Sequence, residues 1–428
     1  MKRTTTFITA LVLLSCVSII VTSCGRDINS IQDTHFDTDG APLDTTITYL
    51  TPKLPESIKL YVETSGSMNG FFRANKANNF KKTVWSVFSG LAPISGNAVY
   101  PMSNGGDIDV PVTVADYRKR MNAGEFVSNT STHIPAMLHN IMENIDTTKN
   151  EVAVLVSDMK YSPMGKSAAP ELSQYQEQIR NIVGVHPNLS LSFVCATSEF
   201  LASNGSVVEE NSPYYFIIIG KADNVAAVRN DISRWCEVTN SYVESGDMCM
   251  TYQTPEYTIE TVKNGVKHYD YPNNVITTFD REVNDTCSFI VRVNMNAYPW
   301  GTVDADILED CFKAKAVYGS SVDYELLTTP EHLVDDHAYK SEFKRRSYAD
   351  FLVKVYNVAL DDEVVEWTFT NRPFDGRYIV DFNNMINADD ENDLSGTFSF
   401  NKFLEGCFNA RLNTFNEEPV RILVSSFQ

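Results

Sequence analysis

The chain is short of basic residues and of long apolar segments. Its 35 Lys and Arg stand against 55 Asp and Glu, which gives a formal net charge of −20 at pH 7. Nucleic acids and anionic lipid surfaces are bound by basic patches, so this balance argues against both targets and favours cation binding or a basic partner. Beyond the N-terminal segment no stretch reaches the roughly 20 apolar residues that span a bilayer.

Cysteine motifs typical of metal sites are also missing. The sequence has eight cysteines but no Cys-x-x-Cys pair and no Cys/His cluster with zinc spacing. Several cysteines lie in apolar runs, which favours buried free thiols, and Cys236 with Cys249 is the pair to test first for a disulfide. The pairing stays open for the six cysteines outside the N-terminal segment, Cys195, Cys236, Cys249, Cys287, Cys311 and Cys407.

The N-terminus has the layout of an export signal. Two basic residues precede an apolar run at residues 7–21, which is too short for a membrane-spanning helix. The Val-Thr-Ser-Cys sequence at residues 21–24 resembles the lipobox of bacterial lipoproteins; an ordinary secretory signal with a chance cysteine is the alternative. The resemblance implies that residues 1–23 are a signal peptide, and that lipidated Cys24 anchors the protein in the bacterial cell envelope, facing the periplasm or the cell exterior.

Composition and periodicity divide the rest of the chain into three parts. Residues 24–55 are polar and rich in Asp and Thr, which predicts a flexible tether. Residues 56–236 alternate apolar strands with amphipathic helices, which predicts an α/β domain with a doubly wound, mostly parallel sheet. Residues 245–428 carry the alternating pattern of half-exposed antiparallel strands, which predicts a β-rich α+β domain; a sandwich is one arrangement that fits.

The individual elements follow from apolar runs of strand length and from apolar residues at helical spacing. In the α/β part, strands are predicted at 58–62, 98–102, 152–156, 189–196 and 214–219, and helices at 77–91, 114–121, 134–145 and 222–235. In the β-rich part, strands are predicted at 258–262, 288–293, 351–358, 364–369 and 378–382, and helices at 303–314 and 401–411.

Hydroxyl and acidic residues gather after the predicted strands of the α/β part. The sequence Glu-Thr-Ser-Gly-Ser at residues 63–67 follows the first strand, Thr132 precedes an apolar helix, and Asp158 follows the buried strand at 152–156. Ligands of open α/β sheets bind at the carboxyl ends of the strands. Two hydroxyls spaced i, i+2 in such a turn can both point at one ion, and an acid before them can hold its waters.

These residues resemble the metal-ion-dependent adhesion site of the von Willebrand factor A family, which opens with Asp-x-Ser-x-Ser after the first strand. The resemblance covers the α/β part only. It implies that Ser65 and Ser67 bind a divalent cation directly, that Thr132 binds it directly or through water, and that Asp158 holds a coordinated water. Glu63 stands where the family has Asp, and its extra methylene suits Ca²⁺ or Mn²⁺ better than the tight octahedron of Mg²⁺.

The resemblance implies a binding protein and not an enzyme. In the family an open position on the ion takes a carboxylate, so the expected partner is an envelope or extracellular protein that offers an acidic side chain. Two other functions stay open: a structural subunit of an envelope complex without metal, which Glu63 favours, and a metal-assisted hydrolase, which needs a general base near Asp158. A purely structural alternative is that the turn at 63–67 caps a helix beginning at about residue 76.

Three weaker patterns are interpreted as structural. Ser157 and Lys160 have the Ser-x-x-Lys spacing of penicillin-binding enzymes, but the companion motifs are missing. His332 and Asp336 could share a helix face as metal ligands, yet no further ligand is identifiable. Residues 389–393 are an acidic run that lacks the glycine and glutamate of a calcium loop, which favours a solvated loop.

Overall fold

The fold is taken from a computed structural model of the chain. The structure describes residues 35–43, 49–103, 105–161, 168–249, 254–260, 262, 266–270, 274–279, 286–295, 305–327, 348–358, 363–369, 386–390, 392–410 and 419–425. The predicted signal peptide, Cys24, the His332/Asp336 pair and the strand predicted at 378–382 lie outside these residues. Within the described part, no helix combines the length and apolarity needed to cross a membrane.

Three short strands come first: β1 (His35–Phe36), β2 (Pro42–Leu43) and β3 (Tyr49–Leu50). β1 and β2 form an antiparallel pair, and Arg421 donates a hydrogen bond of 3.1 Å to the carbonyl oxygen of Phe36. Phe36 and Leu50 are buried, and Leu50 belongs to the apolar core of the C-terminal region. The structure therefore differs from the predicted flexible tether over residues 24–55 at β1 and β3, which bury Phe36 and Leu50 against the folded chain, whereas both residues of β2 are exposed.

The first large sheet has eight strands, which alternate in part with five helices. The elements are β4 (Ser57–Glu63), α1 (Asn79–Leu91), β5 (Ala98–Ser103), β6 (Asp107–Ile108), β7 (Val112–Thr113), α2 (Val114–Ala123), α3 (Ile134–Glu143), β8 (Glu151–Ser157), α4 (Ala168–Gly184), β9 (Ser190–Leu201), β10 (Val207–Gly220), α5 (Ala222–Val238) and β11 (Tyr242–Cys249). The strand order is β11-β9-β10-β8-β4-β5-β6, and β7 also pairs with β5. β4 is parallel to β5 and β8, and the other pairs are antiparallel.

The protein is thus mixed α/β with a partly parallel sheet, and the prediction of a mostly parallel sheet is wrong. The strands predicted at 189–196 and 214–219 belong to β9 and β10, which form an antiparallel hairpin. Their connection, residues 202–206, is far too short for the crossover that parallel neighbours need. A continuous apolar run indicates that a strand is buried on both faces, but it does not indicate whether the strand is parallel or antiparallel to its neighbours. The Asn-Gly pair in this connection, with Gly205 at φ +81°, is the local signal of a tight turn.

The C-terminal region contains two further large sheets. Its elements are β12 (Thr254–Pro255), β13 (Tyr257–Glu260), β14 (Val266–Asp270), β15 (Val275–Phe279), β16 (Cys287–Asn294), α6 (Ala305–Cys311), β17 (Phe312–Ala316), β18 (Ser321–Leu326), β19 (Tyr348–Tyr356), β20 (Glu363–Phe369), β21 (Asn387–Ala388), β22 (Thr397–Phe398), α7 (Phe400–Asn409) and β23 (Val420–Val424). One sheet has the order β13-β16-β19-β18 and the other the order β14-β15-β23-β20-β17. Phe289 and Val291 of the first share an apolar core with Val365 and Trp367 of the second, so the two sheets pack face to face.

Helices cover both faces of the first sheet. On one face Val154 and Phe216 pack in a core with residues of α1, α2 and α5. On the other face Leu155 and Ile217 pack with residues of α3 and α4. Neighbouring residues of a strand point to opposite faces, so the continuous apolar runs of β8 and β10 are explained by burial on both sides.

The C-terminal chain returns to this sheet. Phe400 and Cys407 of α7 enter the core beside α3 and α4, and Phe400 stacks on Tyr215 with ring centroids 4.3 Å apart. The Tyr215 and Thr397 hydroxyls share a hydrogen bond of 2.9 Å. The predicted domain boundary at residues 236–245 includes neither the packing of α7 on the first sheet nor the position of β11 as an edge strand of that sheet.

The described cysteines are buried and form no disulfides with one another. Cys236, on α5, lies in the core on one face of the first sheet, and Cys249, at the end of β11, lies in the core on the other face. The sheet separates the two sulfur atoms, so the pair favoured for a disulfide is not joined.

Candidate metal centre

The carboxyl ends of β4 and β8 bring two acidic residues to one edge of the sheet. The strands are parallel neighbours, with Val62 paired to Val156, so the residues that follow leave the sheet side by side. Glu63 ends β4, and its Oε2 accepts a hydrogen bond from the hydroxyl of Ser157 at the end of β8. Glu63 and Asp158 are 1% and 2% exposed, so both carboxyl groups are poorly solvated.

A short 3₁₀ turn after β4 contains Ser67, begins directly after Ser65 and is hydrogen-bonded to the loop before α3. The turn spans Gly66–Gly70, and the Gly66 N–H donates to the carbonyl oxygen of Thr130 at 2.9 Å. Asn69 exchanges two hydrogen bonds with the backbone of Ser128, at 2.6 and 2.8 Å. These contacts fix the turn relative to the loop that carries Thr132.

The five predicted site residues converge at this point. The hydroxyl oxygens of Ser65 and Ser67 are 2.9 Å apart, and those of Ser67 and Thr132 are 3.5 Å apart. Ser67 donates to Oδ1 of Asp158 at 3.1 Å, and Thr132 donates to Oε1 of Glu63 at 2.5 Å. Thr132 and Asp158 lie 65 and 91 residues from Ser67 in the chain, so the fold assembles the cluster.

The neighbouring helices have their own caps. α1 begins after Asn78, whose side chain accepts a hydrogen bond of 3.0 Å from the backbone of Lys81, and Ser65 makes no capping hydrogen bond. The alternative that the turn at 63–67 caps this helix is therefore wrong. α3 is capped by His133, whose Nδ1 accepts from the backbone of Ala136 at 3.1 Å. His133 thus has a structural role beside the cluster.

Glu63 and Asp158 are buried without enough positive charge nearby to balance both carboxylates, and burial raises the pKa of each. Burial, and after it the charge of Asp158, raises the pKa of Glu63 to about 7, although hydrogen bonds from Ser157, Ser65 and Thr132 favour its ionised form. Burial also raises the pKa of Asp158, against the charge of Lys160 and its backbone N–H. A buried carboxylate is costly unless a cation pairs with it. A cation among these oxygens would lower both pKa values.

Lys160 and the returning C-terminal segment complete the surroundings. The side chain of Lys160 is mostly buried, and its ammonium donates to the carbonyl oxygen of Asp393 at 2.8 Å. Burial lowers the pKa of Lys160, while the charges of Asp158 and Asp393 favour the ammonium. Beside the hydroxyl cluster lies a cleft of about 330 Å³, lined among others by Ser67, Thr132, Lys160, Tyr161, Asn392 and Phe398.

Sequence reasoning missed the C-terminal half of this cleft. The Ser157/Lys160 spacing carries no enzyme motif, yet both residues contribute here, since Ser157 binds Glu63 and Lys160 lines the cleft. In the acidic run at 389–393, the Asp393 carboxylate accepts hydrogen bonds from Ser395 while its backbone carbonyl binds Lys160. No local signal connects this run to the strand ends, so only the three-dimensional fold could reveal it.

The oxygen positions fit a small divalent cation. In an octahedron with bonds of about 2.1 Å, neighbouring ligand oxygens lie about 3.0 Å apart. Among the three proposed ligands, the Ser65–Ser67 separation of 2.9 Å matches this value, and the 3.5 Å between Ser67 and Thr132 is somewhat longer. The described residues contain no group of three or more His, Cys, Asp or Glu that could hold a metal. A cation here would therefore depend on hydroxyl ligands, which suit hard ions such as Mg²⁺, Mn²⁺ and Ca²⁺.

Comparison of the chain with protein-family models, with curated proteins and with solved structures found no match. The von Willebrand A-like assignment consequently depends on the five site residues and their places in the sheet, and it stays a prediction.

Proposed function

We propose that this protein is a lipid-anchored component of the bacterial cell envelope that holds a divalent cation and through it binds an acidic group of a protein partner. The cation would be bound by Ser65, Ser67 and Thr132, which lie in a von Willebrand A-like, doubly wound domain. The observation that carries the proposal is the convergence of three hydroxyls and two buried carboxyl groups, from three separate segments, at the carboxyl ends of β4 and β8.

The charge of the site supports a bound cation. Glu63 and Asp158 are both buried, and Lys160 is the cation that interacts with Asp158. With both acids ionised, these three groups together carry one negative charge in a poorly solvated place. A divalent cation reverses that sign and leaves one positive charge, which attracts an anionic ligand.

Each side chain has a distinct part in this function. A bound cation would supply an open position that a carboxylate can fill. Asp158 accepts the hydrogen of Ser67 and so turns the lone pairs of that hydroxyl towards the centre of the cluster. Glu63 does the same for Thr132, and Ser157 holds the other oxygen of Glu63 in place. The two acids therefore orient the ligand hydroxyls as well as supplying charge.

Calorimetric titration of Mn²⁺, Mg²⁺ and Ca²⁺ into the purified full-length protein tests the proposal. Loss of two ligand oxygens in Ser65→Ala with Ser67→Ala should weaken the affinity for the bound ion by about a hundredfold or more. Ser203→Ala with Ser206→Ala, in the exposed β9–β10 turn, removes two hydroxyls elsewhere and should leave the affinity unchanged. Equal ion affinity in the two double variants would overturn the assignment of the site.

A structural subunit without metal is the second candidate function. It is favoured by the hydrogen bonds that the five residues already make with one another, together with the nearby charge of Lys160. Capture of partners from crosslinked cells, with and without a chelator, separates the two functions. Capture that is insensitive to the chelator selects the structural subunit, and capture that is lost selects the cation-dependent one.

A further inference from the structure

The cleft beside the hydroxyl cluster contains a cation of the protein's own. Lys160 lines this cleft and is 7% exposed, so its charge is held in place and only slightly hydrated. Among the described residues its ammonium makes one hydrogen bond, to the carbonyl oxygen of Asp393. An ammonium has three N–H donors. Lys160 therefore keeps donors for a ligand that enters the cleft.

The rest of the cleft suits a small acid with a short apolar stem. Asn392 offers an amide, and Tyr161 and Phe398 offer aromatic surface. Tyr161 is itself fixed, because its ring stacks on Tyr175 with centroids 4.3 Å apart. A volume of about 330 Å³ is enough for one side chain of a partner and not for a folded segment.

We infer that Lys160 is the residue that recognises the carboxylate of the ligand, with its ammonium donating to one carboxylate oxygen in the cleft. The inference rests on the proposed function and names a group outside its five residues. The site with a divalent cation and Lys160 carries one positive charge, which one carboxylate neutralises. An amide leaves that charge uncompensated, so the cleft selects a monocarboxylate side chain, that of Asp or Glu, over Asn or Gln.

Lys160 should act on the two ligands with opposite signs. Its charge repels a cation at the neighbouring hydroxyls and attracts a carboxylate. A neutral replacement should therefore strengthen cation binding and weaken carboxylate binding. A residue that only supports the local fold would weaken both, so the two titrations separate recognition from structure.

The experiment uses full-length protein, Mn²⁺ and propionate as probes. Mn²⁺ is titrated first, and propionate is then titrated into the Mn²⁺-loaded and the metal-free protein, followed by water proton relaxation and calorimetry. Lys160→Met should raise the Mn²⁺ affinity about fivefold and lower the propionate affinity about tenfold. Lys160→Gln, which keeps a donor for the Asp393 carbonyl, should do the same. Propionamide should not compete with propionate.

A matched control removes the same charge elsewhere. Lys354→Met on β19 breaks an exposed pair with Glu325 and should change neither affinity. Unchanged propionate affinity in both Lys160 variants, with normal Mn²⁺ binding, overturns the inference and leaves the proposed function intact. Equal weakening of Mn²⁺ and propionate binding assigns Lys160 a structural role and also overturns it. If wild-type protein binds no metal, the proposed function fails. The inference about Lys160 is then tested by propionate binding to the metal-free protein. It stands if that binding is lost in the Lys160 variants, and it is overturned if the binding is unchanged or absent.

Discussion

Buried acids in the C-terminal sheets and buried acids at the edge of the first sheet have different kinds of partner. In the C-terminal region two buried acids are paired with cations. Asp350 accepts two hydrogen bonds from Arg292, at 2.8 and 3.0 Å. Glu366 lies 2.7 Å from Arg421 and 2.8 Å from Lys315. Burial alone would raise the pKa of Glu366, but the hydrogen bonds and charges of Lys315 and Arg421 bring it below its ordinary value. Such pairs are complete and serve the fold.

In the α/β region the acids at the sheet edge are paired with hydroxyls. Glu63 and Asp158 receive hydrogen bonds from Thr132, Ser157 and Ser67, and burial raises the pKa of each acid. The same region does contain a buried arginine pair, between Arg229 of α5 and Asp247 of β11. The difference therefore belongs to the site and not to the region. Hydroxyls satisfy the hydrogen bonds of a carboxylate without cancelling its charge, which suits a place where a cation binds.

The largest expected effect concerns the paired acids. Arg292→Met leaves the Asp350 carboxylate buried and without its bidentate partner, which should lower the free energy of unfolding by about 3–5 kcal/mol in urea denaturation. Lys354→Met, on the same sheet, breaks an exposed pair and should cost under about 1 kcal/mol. Equal costs for the two variants would show that pairing with Arg292 does not stabilise the buried Asp350 carboxylate.

The second largest expected effect is a loss of stability as the pH rises, which is opposite to the behaviour of an acid paired with a cation. The pKa of Glu63 in the folded protein, about 7, lies above its ordinary value of 4.5, so the folded state holds this proton more tightly. The associated stability is complete below pH 4.5 and is lost as the pH rises through 7, by about 3 kcal/mol in all. Urea unfolding with chelator at pH 5 and pH 8 should show this loss in wild-type protein and not in Glu63→Gln.

Glu366→Gln is the matched control for that measurement. The pKa of Glu366 lies below its ordinary value, so its contribution is present above that value and is lost only as the pH falls below it. This variant should keep the wild-type loss between pH 5 and pH 8. Under the proposed function, Mn²⁺ at pH 8 should offset part of the loss in wild-type protein, because a cation favours the ionised form of Glu63. A wild-type loss no greater than that of Glu63→Gln would contradict the pKa assignment.

The convergence of the five residues could be predicted because its signals are local and the rule that combines them is simple. Ser65 and Ser67 belong to one short motif after β4, and Asp158 follows a strand that is visibly buried. Carboxyl ends of neighbouring parallel strands meet at one edge, and β4 and β8 are the parallel pair on which the prediction depends. β10 is antiparallel and not parallel as predicted, but this does not affect the position of the five residues, because β10 lies on the side of β8 that faces away from β4.

The rest of the cleft depends on contacts that leave no local mark. Lys160 and Asp393 are 233 residues apart, and neither stands in a motif that names the other. The return of α7 is encoded by apolar residues such as Phe400, which would serve equally well in a separate core. Periodicity shows that a helix has an apolar face and does not show which sheet that face will cover.

The smallest expected effect tests whether the C-terminal segment at residues 392–398 only lines the cleft or also contributes to cation binding. Thr397 is fully buried, and Thr397→Val removes its hydrogen bond with the Tyr215 hydroxyl and its longer one, 3.5 Å, to the backbone carbonyl of Asp158. This loss should lower the free energy of unfolding by about 1 kcal/mol. Thr258→Val, on the exposed side of β13, should change it by less than about 0.5 kcal/mol. Mn²⁺ affinity should stay within about twofold in Thr397→Val, because no ligand oxygen is lost. A loss as large as that of the Ser65/Ser67 double variant would show that the cation site itself extends across both regions.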